Sequence, residues 1–309
     1  MDKPRKNPHI YEINSMTWLR SLGKREKRPI NLGNIPRKEW KYLKELGMDI
    51  IWLMGIWQRS PYSTESIKKQ PKLLDVYGEI LNDLSMEDIE GSAYSIYDYC
   101  PEPSLGTFQD LLDLKKILEE EGLWLVLDFV PNHTSCDHPW TTKYPERYIM
   151  DKEFDREECR EGFFMVNNGD KKYCLAHGRD PYFPPWNDTA QINYGNDNTI
   201  NAMTDLICRL SDYCHGFRCD MAMLPLKDVF QMTWGEYLQD IAEVRDFWPY
   251  AIDRIRSRGN LCILIAEAYW GKEKVLLDMG FDYAYDKYLY DLIVHGDIQG
   301  IKKHLSLSR

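Results

Sequence analysis

Three short apolar runs in this chain end in ionisable side chains. They are Asp128-Phe129-Val130-Pro131-Asn132-His133, Gly216-Phe217-Arg218-Cys219-Asp220 and Ile265-Ala266-Glu267-Ala268. Side chains alternate faces along an extended strand, so Arg218 and Asp220, two apart, project from the same face. A guanidinium beside a carboxylate holds it ionised, as a nucleophile requires. Glu267 closes the apolar run Leu261–Ala266, a setting that raises a carboxyl pKa and suits a general acid. Two carboxylates with divided roles, delivered by different strands, are what glycoside hydrolysis needs. Each residue also has a plainer reading. An Asp at a strand end commonly caps a loop, Arg218 and Asp220 can form a structural pair, and His133 alone is an ordinary histidine. Their joint occurrence at the ends of three strands favours the chemical reading.

The elements that must position these residues are legible as alternating patterns. Strands are expected at His9–Met16, Met48–Gly55, Leu123–Val130, His215–Met221, Leu261–Ala266 and Phe281–Tyr285. Their runs are continuously apolar rather than alternating, which predicts parallel strands covered on both faces. Helices lie between them. Pro36–Leu46 carries Trp40, Leu43 and Leu46 on one face and stops at Gly47. Thr107 is an N-cap with Asp110 three residues on, ahead of Leu111, Leu114 and Leu118, and Gly122 ends that helix. Ile200, Met203, Leu206, Ile207 and Leu210 form another stripe, read as helix-to-sheet packing. Repeated strand–helix units give an α/β fold of the (β/α)8 TIM-barrel type, in which chemistry collects at the C-terminal strand ends. No Gly-x-Gly-x-x-Gly follows a strand, so a dinucleotide fold is disfavoured. Between Val130 and Asn198 lie about seventy loop-like residues, long enough to be functional or to form a small inserted domain. The expected division is 1–133 for the first part of the barrel, 134–197 for the insertion and 198–309 for the second part.

Composition narrows the function classes. With 43% hydrophobic residues and 40 aromatic ones among 309, the chain is not disordered. A net charge of -10 argues against nucleic acid as a partner. No apolar run reaches the roughly 18 residues that span a bilayer, so no membrane partner is expected. No apolar segment follows the basic start, so a secretory signal is not expected and the location reads as cytoplasmic. The eight cysteines form no C-x-x-C pair and match no zinc spacing; they read as reduced buried thiols, with no metal and no cofactor.

With those residues in place, the chain resembles the alpha-amylase family, glycoside hydrolase family 13, over essentially its whole length. Asp128–His133 (DFVPNH) is similar to the family's first motif, Gly216–Asp220 (GFRCD) to the second, and Ala266-Glu267 within IAEAYW to the third, in the family's order. Gly91–Tyr99 followed by Leu105-Gly106-Thr107 is similar to its segment after the second strand. Gln191-Ile192-Asn193 is similar to a supplementary motif near the end of the inserted domain B. The resemblance implies a retaining hydrolase of α-glucosidic bonds in oligosaccharides or glucans. Asp220 is then the nucleophile and Glu267 the acid/base. Arg218 orients Asp220, His133 binds sugar hydroxyls, Tyr94 stacks on the attacked ring, Asp128 is structural beside Arg218, and Asn193 joins the substrate-binding set. Asn132 is a calcium ligand in some members. The Asn132-His133-Thr134-Ser135 context is similar to the glucosidase branch, which implies no obligatory calcium. An α-linked oligosaccharide is the expected partner.

The resemblance stops short at the C-terminal end. The family's fourth motif, an Asn/Val-His-Asp sequence at the end of the seventh strand, is absent. His295-Gly296-Asp297 follows the helical stripe Leu289, Leu292 and Ile293, and reads as a helix-end loop. A βα unit takes roughly 30 residues, so the sequence supplies about six units of the eight. Strands seven and eight are then expected from a second polypeptide, with the isolated chain inactive. The alternative is a noncatalytic sugar-binding remnant or a partner subunit of a split enzyme. An unrelated barrel, such as a sugar isomerase or lyase, is disfavoured by the lack of a metal-ligand cluster.

Overall fold

The computed structural model describes residues 4–151, 158–238, 244–259 and 261–307. Its centre is a parallel sheet of six strands: β1 (Ile10–Asn14), β2 (Ile50–Met54), β3 (Trp124–Phe129), β4 (Gly216–Cys219), β5 (Ile263–Ala266) and β6 (Tyr283–Ala284). They lie side by side in chain order, each parallel to the next. All six expected strands are present. The last is reduced to two residues.

The register settles which side chains share a face. Trp52 sits opposite Val126, Val126 opposite Gly216, and Gly216 opposite Ile263. One face therefore carries Ile50, Trp52, Trp124, Val126, Ile263 and Ile265, which pack together as a separate cluster with Met54, Tyr283 and Tyr285. The other face carries Ile51, Leu53, Leu125, Leu127, Phe129, Phe217, Leu264 and Ala266, all in the main core beneath the helices. Coverage on both faces is why the strands read as unbroken apolar runs. Gly216 makes the inner layer possible, because a Cβ there would lie 2.4 Å from both Ile263 Cγ1 and the Ile263 carbonyl oxygen.

Helices α1 (Ser15–Glu26), α2 (Arg37–Glu45), α3 (Phe108–Glu120), α4 (Asp197–Leu210) and α5 (Phe247–Ser257) bury one apolar stripe each. Helix α3 opens on a full capping box, in which Thr107 and Asp110 satisfy each other's backbone N–H groups. Its Leu111, Leu114 and Leu118 are fully buried. Gly122, at φ 68°, reverses the chain into β3. In α2, Trp40 and Leu43 are buried, but Leu46 falls one residue past the helix and is exposed. The stretch His295-Gly296-Asp297 is a helix-end turn after Lys287–Val294, and a further helix, Ile298–Leu307, follows it.

The long connection is not structureless. His133–Ser135 pairs antiparallel with Thr189–Gln191, and Phe163–Asn168 forms a hairpin with Lys171–Ala176. Cys159 and Cys174 form a disulfide there, with Cα atoms 5.7 Å apart. This corrects the expectation that every cysteine is a reduced thiol; spacing along the chain gave no hint of a pair made by a hairpin folding onto the segment before it. Six cysteines remain free.

The inner-face packing at Gly216 yields a direct test. Gly216→Ala should destabilise the protein by about 1–3 kcal/mol, the usual cost of forcing extra volume into a packed layer. Urea unfolding followed by tryptophan fluorescence measures it, and an unchanged midpoint would contradict the register described.

Candidate active site

Where the inner face reaches the C-terminal strand ends, its apolar layer gives way to Asp128, Arg218, Asp220 and Glu267. All four are buried: relative exposures are 1%, 5%, 7% and 8%. The backbone ladder fixes their roots. Asp220 N–H donates to the Phe129 carbonyl, Glu267 N–H to the Cys219 carbonyl, and Ala222 N–H to the Glu267 carbonyl.

Arg218 ties the carboxylates together. Its Nη1 is 2.6 Å from Asp220 Oδ1, its Nη2 is 2.8 Å from Glu267 Oε1, and its Nη1 is 4.0 Å from Asp128 Oδ1. Its Nε donates to the Tyr285 hydroxyl at 3.2 Å. The rings of Trp52, Tyr94 and Tyr285 surround the guanidinium, at 5.1, 5.3 and 5.6 Å from Cζ. Burial opposes its charge, yet Asp220 and Glu267 outweigh that and hold it more firmly protonated than a free arginine. Asp220 and Glu267 therefore meet on opposite prongs of one planar fork.

Glu267 has a raised pKa. Burial is the main cause and the nearby Asp220 charge adds to it, against Arg218 and the hydrogen bonds from Tyr269 and Met221. Asp128 is pushed up to about 7 by burial, with Arg218 and the Gly55 N–H pulling the other way. Its oxygens are spent on protein donors, Trp52 Nε1 at 3.1 Å and Gly55 N at 2.9 Å. Asp128 thus lies beside Arg218 with one protein donor on each of its oxygens.

The remaining candidates sit around this centre. Tyr94 is half-buried, its ring against Arg218. His133 is buried, and its Nε2 donates to the Tyr94 carbonyl at 3.2 Å while Trp186 packs on its ring. To bind a sugar hydroxyl through Nε2, His133 would have to exchange that carbonyl. Asn193 accepts from Gly195 N–H in a chain reversal, which uses its side-chain oxygen locally. Asn132 is held by Gln191, whose Nε2 donates to the Asn132 side-chain oxygen at 3.0 Å. Among the described residues, no group of three or more His, Cys, Asp or Glu side chains could hold a metal ion.

Several participants were not foreseen from the sequence: Trp52, Gly55, Tyr269, Tyr285 and the Met221 N–H. Tyr269 donates to Glu267 Oε1 at 2.7 Å, and Met221 N–H to Glu267 Oε2 at 2.8 Å. Strand parity carried a usable signal for two of them. Trp52 lies on the inner face of β2, and Tyr285 lies two residues beyond Tyr283, on the same face of β6.

A parallel strand–helix sheet with its polar residues gathered at the C-terminal strand ends defines a (β/α)8-barrel-type domain, here with six strands described. The family model for the alpha amylase catalytic domain matches residues 37–280, and the chain belongs to the alpha-amylase family. It is similar to a probable oligo-1,6-glucosidase 2 of Bacillus subtilis (strain 168), 26% identical over 223 residues, covering 67% of this chain and 34% of the relative. It is also similar to an amino acid transporter heavy chain of Mus musculus, 31% identical over 105 residues, covering 31% of this chain and 14% of the relative. Among solved structures, an alpha-amylase from Lactobacillus plantarum superposes with a TM-score of 0.60 at 23% identity, covering 98% of this chain and 58% of that one. The chain thus spans about a third of the length of the glucosidase relative. No helix among the described residues is long and apolar enough to cross a membrane.

Two buried histidines of this region set a pH dependence. Burial lowers both His133 and His138 to about 4. Each is harder to protonate folded than unfolded, so its contribution is complete above the unfolded value near 6.5 and is lost as pH falls from there toward 4. The loss should be roughly 3 kcal/mol per histidine at full protonation. Chemical denaturation at pH 7 and pH 4.5 measures it, and His133→Gln should flatten the profile over that window.

Proposed function

We propose that the site hydrolyses α-glucosidic bonds of oligosaccharides with retention of anomeric configuration. In this reading Asp220 attacks the anomeric carbon and forms a glycosyl ester as the C–O bond to the leaving group breaks. Glu267 gives its proton to the departing oxygen, then removes one from the incoming water, whose oxygen displaces Asp220 and restores both groups. His133 and Tyr94 hold the attacked ring, and Arg218 orients Asp220. The observation that carries the reading is the single guanidinium engaging both carboxylates. It sets a carboxylate 2.6 Å from the guanidinium next to one whose proton is retained to higher pH. The glucosidase named among the relatives agrees with the substrate class. The division into a barrel interrupted by a small domain over 134–197 belongs to the same proposal.

A second reading, a noncatalytic sugar-binding or partner subunit, has the transporter heavy chain among the relatives in its favour. A partner polypeptide would pair along the free edge of β1, where Ile10 and Tyr11 are exposed. The Cys159–Cys174 disulfide opposes the cytoplasmic location expected from the sequence, because the cytosol keeps thiols reduced.

Turnover of maltose, maltooligosaccharides and an aryl α-glucoside separates the readings. Asp220→Asn and Glu267→Gln should each lower kcat on maltooligosaccharides by about 10²–10⁴. Saturable glucan binding by the wild-type chain without turnover would favour the binding subunit. Alkylation of the protein under denaturing, non-reducing conditions in a freshly quenched extract should label six cysteines. Eight would mean that the disulfide is reduced in place, as a cytosolic location requires.

A further inference from the structure

Glu267 has a hydrogen-bond donor on each carboxylate oxygen and an ion pair beside one of them. Oε1 accepts from the Tyr269 hydroxyl at 2.7 Å and lies 2.8 Å from Arg218 Nη2, and Oε2 accepts from Met221 N–H at 2.8 Å. This shell suits an ionised carboxylate. A general acid must also exist protonated, and then its O–H needs an acceptor. Guanidinium and backbone N–H groups only donate, whereas a phenol hydroxyl both donates and accepts. Of the three partners, Tyr269 alone can serve both states.

The backbone around it is built to hold that geometry. Three non-glycine residues among those described have positive φ: Lys27, Met221 and Trp270. Lys27 is the ordinary left-handed cap of α1. The other two flank Glu267's partners: Met221 at φ 43° supplies the N–H to Oε2, and Trp270 at φ 59° directly follows Tyr269. With Gly271 at φ 72°, Trp270 closes a turn in which Lys272 N–H donates to the Tyr269 carbonyl. A bulky residue in this region is strained and persists only where the surroundings enforce it. Tyr269 also lines a cavity of about 540 Å³ with Phe183, Met221, Trp270 and Tyr288, while its hydroxyl is bonded to Glu267.

We propose that Tyr269 is a positioning residue for Glu267: its hydroxyl donates to Oε1 when Glu267 is ionised and accepts the carboxyl proton's hydrogen bond when Glu267 is neutral. This role rests on the hydrolase reading above. No atom leaves either residue; the phenol O–H turns as the proton on Glu267 comes and goes.

Tyr269→Phe keeps the ring and its packing and removes the hydroxyl alone. Turnover of a disaccharide, whose leaving group needs protonation, should fall about tenfold or more. An aryl α-glucoside, whose phenolate leaves with less help, should fall much less. The alkaline limb of kcat/KM should move upward, because a donor to the charged form has been lost and that bond outweighs the one to the neutral form. An equal fall on both substrates with an unmoved limb would reduce Tyr269 to packing and overturn the proposal. A second measurement needs no turnover. In protein labelled with ¹³C at the glutamate carboxyl, and with Glu267→Gln to assign the signal, the Glu267 midpoint should rise by about one pH unit in Tyr269→Phe. An unmoved midpoint overturns the proposal. Wild-type protein that turns over neither substrate but shows this shift would sink the hydrolase reading and leave the Tyr269–Glu267 coupling standing.

Discussion

The site depends on a buried positive charge. Removing a guanidinium from water is costly, and only close, well-oriented negative partners offset it. Arg218 meets that condition with Asp220 and Glu267 at hydrogen-bond distance and three aromatic faces around the rest of the group. With Asp128 there are three carboxyl groups against one arginine. Were all three ionised, the pocket would carry excess negative charge in a poorly solvated place. Burial answers by raising Asp128 and Glu267, so protons rather than further cations balance the site. A carboxyl that readily holds a proton is the property acid catalysis needs. Here it arises from the same burial that makes Arg218 necessary.

The sheet makes this arrangement with little freedom to err. Parallel pairing in register places Asp128 beside Arg218, and Arg218 beside Ile265, on one face. Asp220 and Glu267, two residues past Arg218 and Ile265, fall on that face as well. Below them the same face is Trp52, Val126, Ile263 and Ile265, a dry layer that blocks water from beneath. A shift of one residue in either strand would send the carboxylate to the helix side and break the site. Gly216 guards that register, since it alone allows Ile263 to approach β4 so closely.

Much of this was legible in the sequence. The strands were readable because both faces are covered, leaving no polar alternation to confuse the pattern. Helix α3 was readable because its cap chemistry is local: Thr107 and Asp110 are three residues apart and satisfy each other. Asp128, Arg218, Asp220 and Glu267 were readable as polar residues ending apolar runs. What was not legible depends on contacts between distant segments. The Trp52–Asp128 hydrogen bond spans 76 residues and the Arg218–Tyr285 bond 67, and neither local sequence hints at the other. The disulfide required knowing that the chain folds back on its hairpin. Leu46 continued the apolar stripe on paper, but the helix ends one residue before it.

The inserted region beside the site is tied to the barrel rather than laid on it. Asp188, between the paired strands of the inserted region, accepts from Ser63 Oγ through its side chain and from Ser95 Oγ through its carbonyl. Asp137 accepts from Ser60 Oγ and Tyr62 N–H. Asp188 thereby reaches Ser95, next to Tyr94, whose carbonyl holds His133, and Asp137 reaches Ser60, whose N–H donates to the Ser95 carbonyl. Gly178 allows the closest approach, since a Cβ there would lie 3.1 Å from His133 Cβ and 2.6 Å from Thr189 Oγ1. The placement of Tyr94 against Arg218, and of His133 against Tyr94, is therefore supported by hydrogen bonds between the insertion and the barrel. A change at Asp188 or Gly178, neither of which touches a carboxylate of the pair, would be felt at the site through this region.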